Sequence, residues 1–179
     1  MPIPLHVTRG PMDLVDTLLD CHARIREYAG LARKIAAARG IEPAQIASAA
    51  ADVQRYFRHG LPRHVEDEEQ SVVPRLRGRS PECDAALATM EREHHEHEPL
   101  LARLLALMDQ LMAAPQRHAE LADAVGAAAD AITTAFEHHL VAEEQQILPL
   151  LRTQLSSAEQ AAILAELRAR RTPLPPGAR

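Results

Sequence analysis

An eleven-residue segment that occurs twice constrains the fold of this chain most strongly. Residues 64–74 (HVEDEEQSVVP) recur as residues 139–149 (HLVAEEQQILP), so both copies read His-x-x-x-Glu-Glu-Gln-x-x-x-Pro. A histidine and a glutamate four residues apart lie on the same face of a helix, one turn apart. The repeat therefore predicts two helices that each carry a His–Glu pair. Two such helices that face each other can hold a pair of metal ions inside a bundle.

The composition favours helices over sheets. Apolar residues make up 46% of the 179 residues, but aromatic residues only 2%, so Ala and Leu must form most of the core. Such a core suits closely packed helices, and the length fits one domain. We therefore predict an all-α protein: an up-down-up-down four-helix bundle, made of a duplicated helical hairpin, with a short fifth helix at its C-terminal end.

Capping and helix-breaking residues set the predicted boundaries. Pro11 suits a helix start, and the Gly-Leu-Pro sequence at 60–62 predicts a kink or break in the second helix. Ser156 and Glu159 form a capping-box pattern that opens the fifth helix. The predicted units are an irregular N-terminal segment over 1–10, the bundle over 11–155, a short amphipathic helix over 156–172 and a disordered tail over 173–179.

Six side chains form the predicted metal site. Each half of the chain supplies one histidine on its first helix and a His–Glu pair on its second. Four imidazoles and two carboxylates suit iron or manganese, and also zinc. A buried glutamate is costly unless it is paired or binds a metal, which favours a metal site over a merely hydrogen-bonded or solvated face. The candidate metal ligands are His22, His64, Glu68, His94, His139 and Glu143.

The third helix carries more histidines than the site needs. His94 and His97 both lie on its apolar stripe, whereas His95 points about 100° away. We predict His94 as the ligand, with His97 as its rival.

Four acidic residues lie beside the predicted ligands, and their positions on the helix suggest supporting or surface locations. Glu69 and Glu144 follow the two candidate glutamates and are rotated off the helix face, so we expect them to contact the ligands or solvent. Glu66 and Asp67 have no acidic counterparts in the second copy, and we predict that both are surface charges.

At these residues the chain resembles the hemerythrin-like HHE cation-binding family, over about residues 10–155. The resemblance implies a four-helix bundle with two iron ions, bridged by carboxylates and an oxo or hydroxo group. It places the iron ligands on the same six candidate residues. The segments that carry it are residues 21–25 (CHARI), 56–57 (YF), 64–74, 93–101 (EHHEHEPLL) and 136–149.

One position departs from the oxygen-carrying members of this family. They have a further histidine one turn after the ligand of the third helix, where this chain has Glu98. The chain is therefore more similar to the symmetric His-and-Glu branch. That branch resembles proteins linked to iron–sulfur repair under nitrosative stress, to iron and oxygen sensing and to peroxide handling.

Two functions follow as expectations. The first is a diiron protein that binds or reduces a small oxidant (O2, NO or peroxide), with zinc or manganese as alternative metals. The second is an iron- or oxygen-responsive sensing module without catalytic turnover, so enzymatic activity stays open. A ferritin-like oxidase is disfavoured, since it needs Glu-x-x-His on two helices and Phe136 replaces the second glutamate. A zinc peptidase is disfavoured because the chain has no His-Glu-x-x-His.

Charge and cysteine content limit the partners. A net charge of -5 with scattered basic residues disfavours nucleic acids. No apolar run approaches the roughly 20 residues that a membrane span needs. Cys21 and Cys83 are too few for a disulfide framework and fit a reduced, cytoplasmic setting. The expected partners are a diatomic ligand or peroxide and an unidentified redox partner.

Overall fold

Five helices account for nearly all of residues 12–171, the part of the chain that the computed structural model describes. Helix α1 is Leu14–Ala37, α2 covers residues 43–76, α3 is Pro81–Ala113, α4 covers residues 118–154 and α5 is Ser157–Arg171. The described residues contain no strand. Helix α2 consists of Pro43–Arg55, Tyr56–Gly60, Leu61–Asp67, Glu68–Val72 and Val73–Leu76. Helix α4 consists of His118–Ala142, Glu143–Ile147 and Leu148–Gln154, and a 3-10 turn, Pro115–Arg117, precedes it.

Polar side chains cap three of the helices. The Asp13 carboxylate accepts from the N–H of Asp16 at 2.8 Å and starts α1, whereas the predicted start at Pro11 lies outside the described residues. Ser80 caps α3. The capping box predicted for α5 is present: Ser156 N–H donates to the Glu159 carboxylate at 2.8 Å, and Glu159 N–H donates to the Ser156 hydroxyl at 3.3 Å.

Three π-helical turns interrupt α2 and α4: Tyr56–Gly60, Glu68–Val72 and Glu143–Ile147. Each turn is followed two residues later by a proline, namely Pro62, Pro74 and Pro149. A proline ring clashes with the carbonyl four residues earlier, and a widened turn relieves that clash. The N–H groups of Val73 and Leu148 accordingly donate five residues back, to Glu68 and Glu143. At 60–62 the helix therefore continues through a wide turn and does not break.

The four long helices form a closed ring of contacts. Helix α1 packs against α2 and α4, α3 packs against α2 and α4, and α5 lies on α1 and α2. This arrangement agrees with a hemerythrin-like helical bundle. The up-down-up-down order stays a prediction.

A polar layer divides the buried core into two apolar clusters. One cluster contains Ile25, Leu61 and Phe136, and the other contains Leu18 and Val72. On each long helix, buried polar side chains stand between the residues of the two clusters. From the N-terminal to the C-terminal end, α1 and α3 pass through the cluster with Leu18 before the cluster with Ile25, whereas α2 and α4 pass through them in the opposite order. The predicted up-down-up-down order requires this alternation.

Candidate metal centre

One group of four side chains brings its donor atoms together inside the polar layer. His22, His64, Glu68 and Glu143 are all buried, and one donor atom of each lies within 4.8 Å of the others. The Nε2 atom of His22 is 3.0 Å from a Glu143 oxygen, and that of His64 is 3.1 Å from a Glu68 oxygen. We call this four-donor group position A.

A second group of three donors adjoins the first. His94, His139 and Glu143 meet the same 4.8 Å limit, and we call this group position B. The Nε2 atom of His139 is 3.6 Å from Glu143, and that of His94 is 3.3 Å from Glu68. Because Glu143 belongs to both groups, the two positions are neighbours. The structure thus brings together all six residues that the sequence predicts as ligands.

The structure places His94, and not its rival His97, among the donor groups. The His97 ring packs edge-on against Phe136 and His139, with ring centroids 5.0 Å apart in each case. It belongs to the wall of a cavity beside the site. Glu98 is exposed and pairs with the exposed His95 at 3.2 Å, so it does not replace the missing histidine.

The donor atoms pass a direct test of fitness for a cation. Among the described residues, seven buried side-chain nitrogens and oxygens have no hydrogen-bond partner, and all seven belong to the candidate ligands. The short contacts within the cluster do not have hydrogen-bonding geometry. An unsatisfied buried polar group costs about 1–3 kcal/mol. Cations bound in the cluster would bond directly to six of them, because a neutral imidazole such as His64 coordinates through one ring nitrogen and keeps a proton on the other. The seven atoms are His22 Nε2, His64 Nδ1 and Nε2, Glu68 Oε2, His94 Nε2, and Glu143 Oε1 and Oε2.

The second glutamate of each repeat reaches a histidine on another helix. Glu144 lies 2.9 Å from Nδ1 of His22, and Glu69 lies 3.0 Å from Nδ1 of His94. A carboxylate on Nδ1 fixes the orientation of the ring and directs Nε2 at the metal. The Glu-Glu doublet therefore has a physical reason: its first member faces the donor cluster and its second holds an imidazole across the bundle.

Sequence reasoning missed two residues that support this arrangement. Glu93 accepts from Nδ1 of the buried His139 at 2.8 Å. Arg26 donates to Glu144 at 2.8 Å and so neutralises the carboxylate behind His22. The position of Glu93 directly before the predicted ligand His94 indicated that it lies near the site. Only the tertiary packing shows that its carboxylate reaches His139 on α4.

Burial and mutual charge set the protonation of the metal-free cluster. Burial lowers the pKa of His64 to about 3, so this imidazole is neutral at neutral pH. Burial and the charge of Glu143 raise the pKa of Glu68 well above its usual range. Burial would also raise the pKa of Glu143, but its contact with His22 and the charge of His139 hold it at about 2. Burial would lower the pKa of His22, but the carboxylates around it raise it.

The prediction that Asp67 is a surface charge was wrong, whereas Glu66 is exposed as expected. Asp67 is completely buried, and its oxygens lie 2.8 Å from Arg170 and 2.5 Å from Arg171 of α5. The amphipathic pattern of α5 did not reveal that its last turn packs against the buried polar layer. The C-terminal helix is thereby tied to the residue directly before Glu68.

A small cavity adjoins the cluster. Its volume is about 40 Å³. Both histidines of position B and only His64 of position A line it. The other lining residues are His97 and the side chains Ile25, Leu61, Val65, Leu101 and Phe136.

A helical bundle with a buried layer of imidazoles and carboxylates defines a metal-binding class of α-helical proteins. The model of the hemerythrin HHE cation-binding domain matches residues 13–151. The chain belongs to this family, which confirms the resemblance seen in the sequence. Such a domain binds metal cations, and the buried His/Glu cluster is the group in this chain that could hold them. A search of curated proteins finds no match.

None of the helices within residues 12–171 combines the length and the apolar character needed to cross a membrane.

Proposed function

We propose that the chain is a non-heme diiron protein that binds or reduces a small oxidant, namely O2, NO or peroxide. The observation that carries this proposal is the set of seven unpartnered buried donor atoms beside a small, mostly apolar cavity. Iron bound there would supply redox electrons and coordination positions for a small ligand. Zinc and manganese suit the same donors and are the alternative metals.

The six candidate ligands have distinct tasks in this proposal. His22, His64 and Glu68 would hold one ion. His94 and His139 would hold the other. Glu143, which belongs to both donor groups, would link the two. The carboxylates on the outer nitrogens of His22, His94 and His139 would keep these three rings oriented when metal binds.

The cavity limits the size of the ligand. A volume of about 40 Å³ exceeds the roughly 10–15 Å³ of probe space that a cavity needs to hold one water molecule. This space has room for a diatomic molecule or peroxide. Its apolar walls favour an uncharged ligand and keep bulk water away from the cluster.

The proposal is tested by loading the protein with Fe(II) in the absence of air and adding azide, NO or hydrogen peroxide. We expect a ligand-dependent change in the near-ultraviolet and visible absorbance. His139→Ala removes a buried donor and should lose most of the bound metal and the change. His95→Ala, at an exposed position of α3 whose side chain pairs with the exposed Glu98, is the control and should keep both. A fully iron-loaded protein without any ligand-dependent change would contradict the proposal.

A second candidate function is an iron-responsive module without turnover. The ion pairs of Asp67 with α5 favour it, because they connect the turn that carries Glu68 to a helix at the surface. Loss of metal would then loosen α5 for a partner. Protection of α5 against limited proteolysis should be greater with metal than without it. Equal thermal stability of the metal-free and metal-loaded protein would exclude this function.

A further inference from the structure

We propose that a row of aromatic side chains connects the metal centre to a redox-active pair of tyrosines, Tyr28 and Tyr56, which supplies electrons when the oxidant is reduced. This inference rests on the proposed function, since it requires an oxidant at the metal ions. It adds a site outside the buried polar layer and names the side chains that are oxidised there.

The first argument is the continuity of the aromatic row. The sequence contains two Tyr, two Phe and no Trp, and all four rings lie in contact one after another. Tyr28 stacks on Tyr56 with ring centroids 4.2 Å apart. Tyr56 contacts Phe57 at 5.4 Å, and Phe57 contacts Phe136 at 5.9 Å. A single row of this kind is unexpected if the four rings only filled gaps in a core of Ala and Leu.

The second argument is the place where the row ends. Phe136 packs edge-on against His97, and His97 packs edge-on against the candidate ligand His139, with ring centroids 5.0 Å apart in both contacts. Phe136 and His97 also line the cavity beside the cluster. These are spacings of rings in direct contact. Because electron tunnelling falls steeply with the width of each gap, the row offers a path between the tyrosines and a metal ligand.

The third argument is the chemistry of the rings. A phenol loses an electron much more readily than a phenyl ring, so the phenylalanines serve as a bridge and the tyrosines are the groups that are oxidised. Burial raises the pKa of Tyr56, so its phenol keeps its proton until the electron leaves. Both tyrosines are only half-buried, so the proton released on oxidation can pass to solvent.

The fourth argument is the room that the backbone leaves for Tyr56. A Cβ atom at Gly60 would lie only 2.8 Å from the ring carbon Cδ2 of Tyr56. Glycine inside a helix lowers stability relative to alanine, so its presence needs a reason. The wide turn Tyr56–Gly60 lets this ring lie against the backbone, with its plane 8° from that of Tyr28.

Hydrogen peroxide gives a balanced reaction for this pair. Each tyrosine gives up one electron along the row and one proton to solvent. Peroxide takes up two electrons and two protons, its O–O bond breaks, and two water molecules form. The two tyrosyl radicals lie on stacked rings and combine through a C–C bond between ring carbons next to the phenol oxygens. The hydrogen displaced from each of these carbons restores the phenol, so two tyrosines and one peroxide give one dityrosine and two waters.

The dityrosine link is the readout of the test. The full chain is loaded with iron and oxidised in air, so that peroxide cannot take its electrons from Fe(II). Peroxide is then added without another reductant, and the product is analysed by dityrosine fluorescence and peptide mass mapping. We expect a link between Tyr28 and Tyr56 within one chain, with its mass lower by two hydrogen atoms. Zn(II)-loaded protein is the matched control and should form no link, because zinc has no redox chemistry.

Four variants test the residues of the pair and of the row. Tyr28→Phe and Tyr56→Phe keep a ring at each position but remove the phenol, so each should abolish the link without loss of bound iron. Phe57→Leu interrupts the row and leaves both tyrosines in place, so the yield of the link per bound iron should fall several-fold. Gly60→Ala displaces the ring of Tyr56 and should lower the yield as well; it lies outside the buried core and complements the buried Phe57.

Three results would overturn the inference. One is a link of equal yield in the Zn(II)-loaded protein. Another is a yield per bound iron that neither Phe57→Leu nor Gly60→Ala lowers. The third is iron-loaded protein whose absorbance changes with peroxide while both tyrosines stay unmodified. If the absorbance of the iron-loaded protein responds to none of azide, NO and peroxide, the proposed function fails together with this inference, so the two failures are distinguishable.

Discussion

Replacing His64 by Leu should stabilise the metal-free protein and destabilise the metal-loaded one. Both ring nitrogens of His64 are buried and unpartnered, at a cost of about 1–3 kcal/mol for each unsatisfied group. Leu is apolar and of similar size, and its neighbours Ile25, Leu61 and Val65 are apolar. After allowance for imperfect packing, we expect a gain of about 2 kcal/mol without metal. For a domain of this length that corresponds to a rise in Tm of roughly 4–8 °C.

With metal bound, the wild type should be more stable than the His64→Leu variant, which reverses the order expected without metal. At a free metal concentration about 1,000 times Kd, bound metal adds about 4 kcal/mol to the free energy of unfolding of the wild type. The variant lacks a donor of position A, so it should lose most of this stabilisation. Thermal unfolding with chelator and with excess Zn(II) or Fe(II) measures both effects. His95→Leu, at an exposed position of α3, is the control and should change stability by less than about 0.5 kcal/mol. A His64→Leu variant that is less stable than wild type without metal would refute the reasoning, since His64 would then be a satisfied core residue.

Two further predictions concern α5 and pH. Replacing both Arg170 and Arg171 by Ala leaves the fully buried Asp67 carboxylate unpaired, and should lower the free energy of unfolding by about 3 kcal/mol or more in chemical denaturation. Asp67→Ala should cost less, because the two arginines are partly exposed and can be hydrated; the reverse order would contradict this account. Metal binding should release protons, because the pKa values of Glu68 and His22 are raised and both must be deprotonated to bind a cation. The affinity for metal should therefore fall as the pH falls through these raised pKa values. Calorimetry in buffers of different ionisation enthalpy measures both the affinity and the proton release. An affinity that does not depend on pH, without proton release, would contradict this prediction.

The repeated motif was sufficient to predict two of the helices and four of the six side chains that meet in the buried polar layer. A His–Glu pair one turn apart, on a stripe that is otherwise apolar, has few alternatives in a helical chain. The choice between His94 and His97 was harder, because three residues are nearly one helical turn and both side chains point to the same side of α3. The internal repeat does not decide it, since its spacing of 75 residues would match His22 with His97.

The features that the sequence did not reveal depend on contacts between distant segments. Asp67 looked like a surface charge because its partners lie more than 100 residues further along the chain. The role of Glu93 depends on how α3 faces α4. The π-helical turns had a signal in the prolines that follow them, but Pro99 lies inside α3 without such a turn, so a proline alone does not predict one.

The most direct test of a paired metal site is the metal content of the full chain, purified aerobically from iron-supplemented cells and analysed by mass spectrometry together with its visible spectrum. The account predicts about two iron ions per chain, with near-ultraviolet charge-transfer bands. It also predicts that Glu143→Ala, which removes the donor common to both positions, loses both ions. A folded and stable protein with one zinc ion or with no metal would contradict it.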